Sequence, residues 1–135
     1  MRIYLTHCCA KKDNNFAGRQ DKLTPEQLYI ATPTQRFMNR CNEVGVKWAI
    51  FSDYYGVWFS GEKNAWYGDD AGDPNRVNDV KFRELVADFE NKLAGFETIY
   101  FYHNPGRFHQ LYKRLIEEVN VNVILISHIG DIVSV

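Results

Sequence analysis

The sequence predicts an α/β domain: a three-layer αβα sandwich built on about four mainly parallel strands. Three observations predict it. Short β-branched and aromatic runs alternate with stretches carrying apolar residues at helical spacing. Two of the runs, around Ile50-Phe51 and over Val123-Ile124-Leu125-Ile126, are close to continuously apolar, as in strands covered on both faces. Helix start and stop signals fall between the runs, where crossover helices would begin and end.

The elements follow in order. Ile3–Thr6 reads as the first strand. Thr24-Pro25-Glu26-Gln27 and Thr32-Pro33-Thr34-Gln35 share one grammar: Thr caps, Pro takes the first helical position, and Gln reaches back as the third residue of a capping box. Two starts so close together predict a short helix and then a longer one, whose apolar stripe is Phe37, Met38, Cys41 and Val44. Gly45 sits where that helix needs a residue at positive φ. Val46–Phe51 is the second strand. Phe82, Leu85, Val86, Phe89 and Leu93 mark a helix closed by Gly95, and Thr98–Tyr102 is the third strand. Asn104-Pro105 reads as a further helix start, followed by the stripe Phe108, Leu111, Tyr112, Leu115 and Val119, and Val121–Ile126 is the fourth strand. Strand–helix alternation of this kind gives a parallel, Rossmann-like sheet with right-handed crossovers. With 135 residues and no linker, repeat or low-complexity segment, residues 1–135 form a single domain. The segments 8–23 and 53–75 are long for loops in so small a domain, which points to function.

Composition excludes several classes. At 45% hydrophobic and 24% charged residues the chain is neither disordered nor collagenous. No apolar run approaches the ~20 residues a membrane helix requires, so no membrane partner is expected. A net charge of −1 supplies no overall field for nucleic acid, although the first sixty residues carry a small basic excess. Met1–Thr6 runs into His7 without the apolar length of a signal peptide. Cys8, Cys9 and Cys41 cannot all pair within one chain. A reducing, cytoplasmic setting follows as the expectation.

In open α/β sheets ligands bind beyond the carboxyl ends of the strands. Here those ends carry Thr6-His7-Cys8-Cys9, Ser52-Asp53-Tyr54-Tyr55-Gly56, Tyr102-His103-Asn104-Pro105-Gly106-Arg107 and Ser127-His128; His109 lies on the helix just beyond. Cys8, near Lys11 and Lys12, is expected to have a lowered pKa, as a nucleophile or ligand, or else to be a small buried apolar residue. Lys11 and Lys12 either hold phosphate or are solvated. Histidines 7, 103 and 128 with Cys8 and Asp53 can be drawn as a zinc site, but no local ligand spacing supports it, so neither metal nor cofactor is expected. Asp53, His103, His128 and Cys8 are the candidate catalytic groups, a histidine serving as acid or base. Asn104–Arg107 reads as an anion site at a helix N-terminus or as a plain cap. Asp69, Asp70 and Asp73 fail the calcium-loop pattern and read as solvated. Tyr54, Tyr55, Trp58, Phe59, Trp66 and Tyr67 either stack on a base or pack as a lid on the core.

One ordered series goes further: Thr6-x-Cys8-x-x-Lys11-Lys12, then Leu28-Tyr29 with Pro33 and Phe37, then Phe51-Ser52-Asp53-x-Tyr55-Gly56-Val57, then Trp66-Tyr67. It resembles an uncharacterised prokaryotic family with the pattern C-x-x-K, L-Y-x-S-P-x-F, L-S-A-x-Y-G-L and P-Y. That family in turn is similar to the YaaA peroxide-stress family, associated with oxidative stress and DNA binding. The resemblance spans about residues 3–67 and departs from the pattern at Asp53, Trp58 and Trp66. It implies site roles for Cys8, Lys11, Tyr29, Ser52, Tyr55, Gly56 and Tyr67.

The expected function is binding of, or action on, a nucleotide, nucleoside or nucleic-acid base, with N-glycosidic hydrolysis as the enzyme reading. Lys11, Lys12 and Arg107 would hold phosphate, and Asp53 or a histidine would activate water. The alternatives are a non-catalytic nucleic-acid-binding or oxidative-stress module, and a thiol or metal sensor.

Overall fold

A computed structural model describes residues 1–8, 12–18, 21–67, 73–103 and 108–134. The strands are β1 (Arg2–His7), β2 (Lys22–Leu23), β3 (Trp48–Ser52), β4 (Gly56–Phe59), β5 (Asn64–Ala65), β6 (Thr98–Tyr102) and β7 (Val123–Ile126). The helices are α1 (Pro25–Leu28), α2 (Thr32–Val44), α3 (Asp79–Leu93) and α4 (Gln110–Glu118). The main sheet has the order β4-β3-β1-β6-β7, and β2 pairs with β5 in a separate ribbon. Strands β3, β1, β6 and β7 run parallel, and β4 returns antiparallel from β3 through a tight hairpin. The α/β sandwich is as the sequence predicts. The antiparallel β4 and the ribbon are additions, both drawn from segments read as loops.

Period-two alternation sorts the sheet's side chains into two cores. Ile3, Leu5, Ala49, Phe51, Ile99 and Phe101 face one way, onto Phe82, Leu85, Phe89 and Leu93 of α3 and Leu111, Tyr112 and Leu115 of α4. Tyr4, Trp48, Ile50 and Trp58 face the other way, onto Phe37, Met38 and Cys41 of α2. The last residues close this second face. Ile132 is buried, Arg40 Nε donates to its carbonyl at 3.0 Å, and Tyr4 Oη donates to the carbonyl of Val133 at 3.2 Å.

Local signals hold with two shifts. Gln27 Oε1 accepts from the backbone N–H of Thr24 at 2.9 Å, the return half of a capping box. At the second start Ala31 is the cap, and Thr32 is already helical. Gln35 instead reaches back to α1: its Nε2 donates to the carbonyls of Tyr29 at 2.6 Å and Glu26 at 3.0 Å. Gln35→Ala removes both bonds, and we expect a loss of about 1–2 kcal/mol in urea unfolding; a change below a few tenths would mean the two helices are not tied there. Gly45 closes α2 at φ +74°, whereas α3 ends on Ala94 in right-handed geometry and Gly95 has no positive φ. Helix α4 begins at Gln110 with His109 as its cap, five residues beyond the expected Asn104 cap. Strand β7 is not covered on both faces: it is a sheet edge, with Ile124 42% and Leu125 45% exposed. Among the described residues no helix is long and apolar enough to cross a membrane.

Candidate active site at the carboxyl edge

The strand order places β1 and β6 side by side at the centre. The chain leaves β1 toward α2 and β3 on one side, and leaves β6 toward α4 and β7 on the other. Divergence of this kind opens a crevice at the carboxyl ends of the two strands. His7 ends β1 and His103 follows β6, while Thr6 Oγ1 ties the strands by donating to the Tyr102 carbonyl at 2.8 Å.

Helix α4 and the residue before its cap wall this crevice with rings. Tyr112 stacks on His7, centroids 4.8 Å apart and planes at 14°. Phe108 lies 4.7 Å from the His103 ring and 6.3 Å from that of His7. His7 Nδ1 is 2.8 Å from the Cys8 carbonyl. A carbonyl only accepts, so Nδ1 carries the proton and Nε2 keeps a lone pair. Burial, helped by His103 and His109, lowers the His7 pKa and keeps the ring neutral. His103 Nδ1 is buried and has no hydrogen-bond partner.

Behind the rings sits a buried polar cluster. Cys8 Sγ donates to Asp53 Oδ1 at 3.4 Å and lies 3.5 Å from Tyr112 Oη. Asp53 is 1% exposed, and its second oxygen, Oδ2, has no hydrogen-bond partner. Desolvation raises the Asp53 pKa to about 6, against the Cys8 hydrogen bond and the positive charge of Lys12. Lys12, buried, is bridged to Tyr29 through the backbone, with Nζ 4.5 Å above the Tyr67 ring. The thiol of Cys8 is pushed up to about 12, first by burial and then by the Asp53 charge. This reverses the expectation of a lowered pKa. The sulfur points inward, away from water, to a carboxylate. Burial of this kind disfavours reactive thiolate chemistry at Cys8.

A second chain of hydroxyls adjoins the first. Ser52 Oγ accepts from the backbone N–H groups of Tyr54 at 3.1 Å and Tyr55 at 3.0 Å. Its own proton is therefore free to go to Tyr67 Oη, 3.2 Å away, and Tyr67 Oη in turn bonds to Tyr29 Oη. Burial holds the Tyr67 phenol far above its usual range. Tyr55 Oη donates to the Ala65 carbonyl at 2.9 Å and so pins β5. The aromatic segment is mostly core: Trp58 and Tyr67 are buried, while Tyr54, stacked on Tyr67 at 5.0 Å, stays 40% exposed. Gly56 opens β4 at φ +79° against Asp88 of α3, a demand of the fold.

Thus the structure gathers Cys8, Lys12, Tyr29, Ser52, Asp53 and Tyr67 around one buried cluster, with His103 at the crevice beside it. It does not gather His128, which stands exposed at the start of the last turn because β7 leads the chain away from the centre. Lys11, Arg107, Cys9, Asp69, Asp70 and the Asn104–Arg107 segment lie outside the described residues. Asp73 accepts from the N–H of Asn75 at 2.9 Å and caps a short turn. Among the described residues no group of three or more His, Cys, Asp or Glu side chains converges to hold a metal ion, so the drawn zinc site does not form. Sequence reasoning missed Tyr112 and Phe108 as site residues, since their helical spacing is that of a core stripe; only their place in the first turn of α4 and just before its cap, near the strand ends, sets them apart. Compared with protein-family models, curated proteins and solved structures, the chain matches none.

Proposed function

We propose that the carboxyl edge binds a nucleoside or nucleotide and that Asp53 acts as general base in hydrolysis of its N-glycosidic bond. The observation that carries this reading is Asp53 itself. A buried carboxylate with a vacant oxygen and a pKa of about 6 is costly for stability, and it is the state a general base at neutral pH requires. Its position beside the central crevice agrees with where such sheets place their ligands. The half-buried rings of His7, His103 and Phe108 offer faces for a base, and the lone pair on His7 Nε2 offers a polar contact. Lys12 supplies positive charge for an anionic group. In the reaction water adds to the anomeric carbon and passes its proton to Asp53. The carbon–nitrogen bond breaks with its electron pair going to the base, which leaves and takes up a proton. The carboxylate charge also favours the positive sugar centre of the transition state. A distant place beside the YaaA peroxide-stress family belongs to the same proposal and rests on the motif series alone.

The test is a panel of nucleosides, nucleotides and single-stranded oligonucleotides, read by thermal shift and by chromatography of released base. Asp53→Asn is expected to keep the thermal shift and to lose base release by about 10²- to 10⁴-fold. The parent rate is expected to rise with pH to a plateau above about 6, as Asp53 ionises. Equal turnover by Asp53→Asn overturns the assignment. Binding without turnover by the parent overturns the enzyme and leaves a binding module.

A further inference from the structure

The two edges of the main sheet are treated in opposite ways. On β4, the outward backbone groups belong to Val57 and Phe59, and all are occupied. Val57 N–H donates to Asp88 Oδ2 at 2.7 Å, and its carbonyl accepts from Lys92 Nζ at 2.9 Å. Phe59 N–H donates to Glu62 Oε1 at 2.8 Å, and its carbonyl accepts from the Glu62 N–H at 3.1 Å. Three side-chain bonds and one backbone N–H therefore seal this edge as a further strand would.

On β7 nothing comparable is present among the described residues. The N–H of Ile99 donates to the Asn122 carbonyl and that of His103 to the Ile126 carbonyl. Alternate residues of a strand turn their backbone groups to the same side, so Ile124 also faces β6, and the N–H and C=O of Val123 and Leu125 face outward. Ile124 and Leu125, one on each face of the sheet, are the exposed apolar residues of this edge. No residue from Val121 to Ser127 is charged. Lysines, prolines and inward charges are what keep an exposed edge from pairing, and β7 has none.

We infer that β7 pairs antiparallel with β7 of a second copy of this chain, making one continuous sheet across a two-fold axis. The strand fits itself. With Ile124 on the axis, Ile124 meets Ile124, and Val123 exchanges backbone hydrogen bonds with Leu125 of the second copy, the two residues whose groups face outward. Every member of β7 is then engaged, as an isologous contact requires. Charge supports the same occupant. Helix α4 is basic at Lys113 and Arg114 and acidic at Glu117 and Glu118, and Lys113 and Glu117 are exposed. The two-fold sets the two α4 helices antiparallel on one side of the joint sheet, so the Lys113 end of one lies toward the Glu117 end of the other. A partner strand of unrelated sequence has no reason to match that polarity.

Sedimentation velocity and oxidative cross-linking test this. The parent is expected to sediment near twice the 15.8 kDa chain mass at micromolar concentration. Leu125→Lys, at an exposed position, is expected to sediment as a monomer with an unchanged circular dichroism spectrum. Ile124→Cys in a Cys9→Ser background, oxidised, is expected to give a covalent dimer on a non-reducing gel, because the axis brings those two side chains together. A parent that stays monomeric at high concentration overturns the inference. So does a dimer that Leu125→Lys leaves intact, or one that Ile124→Cys fails to cross-link.

Discussion

Asp53→Asn is expected to unfold at higher urea concentration than the parent at pH 7.5, while losing turnover. The sign follows from the direction of the shift. Asp53 has a folded pKa of about 6, above the ordinary value of 3.8. Between those two values the folded chain holds a proton that the unfolded chain has released. Stability from this group is therefore complete at low pH, falls as pH rises through the window, and stays low above it. A separation of about two units corresponds to about 3 kcal/mol. His7 works in the opposite sense: its folded pKa is lowered from 6.5, so its protonation opposes folding, and its contribution rises as pH rises toward 6.5. The parent's pH profile is the sum of two opposing slopes and reads neither alone. The difference between Asp53→Asn and the parent cancels His7. That difference is expected to be near zero at pH 4 and to grow to about 3 kcal/mol above pH 6.5. A difference that is flat with pH, or a variant less stable than the parent at pH 7.5, would show that Asp53 does not carry a desolvated charge. On the proposed function, the stability that the parent forgoes keeps the carboxylate basic, with Oδ2 open for chemistry.

What the sequence made legible, and what it did not, divides along physical lines. Residues 3–6 and 98–102 were readable as strands because their side chains alternate between two apolar cores. The Thr24 start was readable because its cap is a local bond between residues three apart. Strand β4 was not, since Val57-Trp58-Phe59 is a short continuous apolar run with no period to read. Asp53 and Cys8 were legible as site residues by position alone, at the ends of adjacent strands. Their electrostatics were not. The Cys8 thiol answers to its burial and to a carboxylate 45 residues away. Tyr112 was hidden because it serves the core and the site at once, its ring on Phe51 and His7 and its hydroxyl against Cys8. His128 was misplaced because only the strand order shows that β7 is an edge.

Among the described glycines, Gly56→Ala is expected to be the most damaging substitution, costing about 3–4 kcal/mol of stability. Two terms add. Alanine at φ +79° pays about 1–2 kcal/mol for left-handed backbone. Its Cβ would also stand 2.1 Å from Asp88 Oδ2, far inside any real contact. That carboxylate is not free to swing away, since it holds the Val57 N–H at 2.7 Å and Lys92 Nζ at 2.8 Å, while Lys92 holds the Val57 carbonyl. Displacing it forfeits a charge-assisted bond worth about 1.5–3 kcal/mol and unseals the β4 edge. A double-mutant cycle separates the terms. If the methyl acts through Asp88, Gly56→Ala in an Asp88→Ala background costs only the backbone strain, about 1–2 kcal/mol, and the two changes couple by about 2 kcal/mol. Strictly additive costs would mean that the hairpin accommodates the methyl without moving Asp88. The consequence extends to the site, because Asp53 lies inside the turn that Ser52 opens and Gly56 closes. A variant that remains folded at low temperature is therefore expected to lose the proposed base release beyond its unfolded fraction, with Asp88→Ala showing the same loss in milder form.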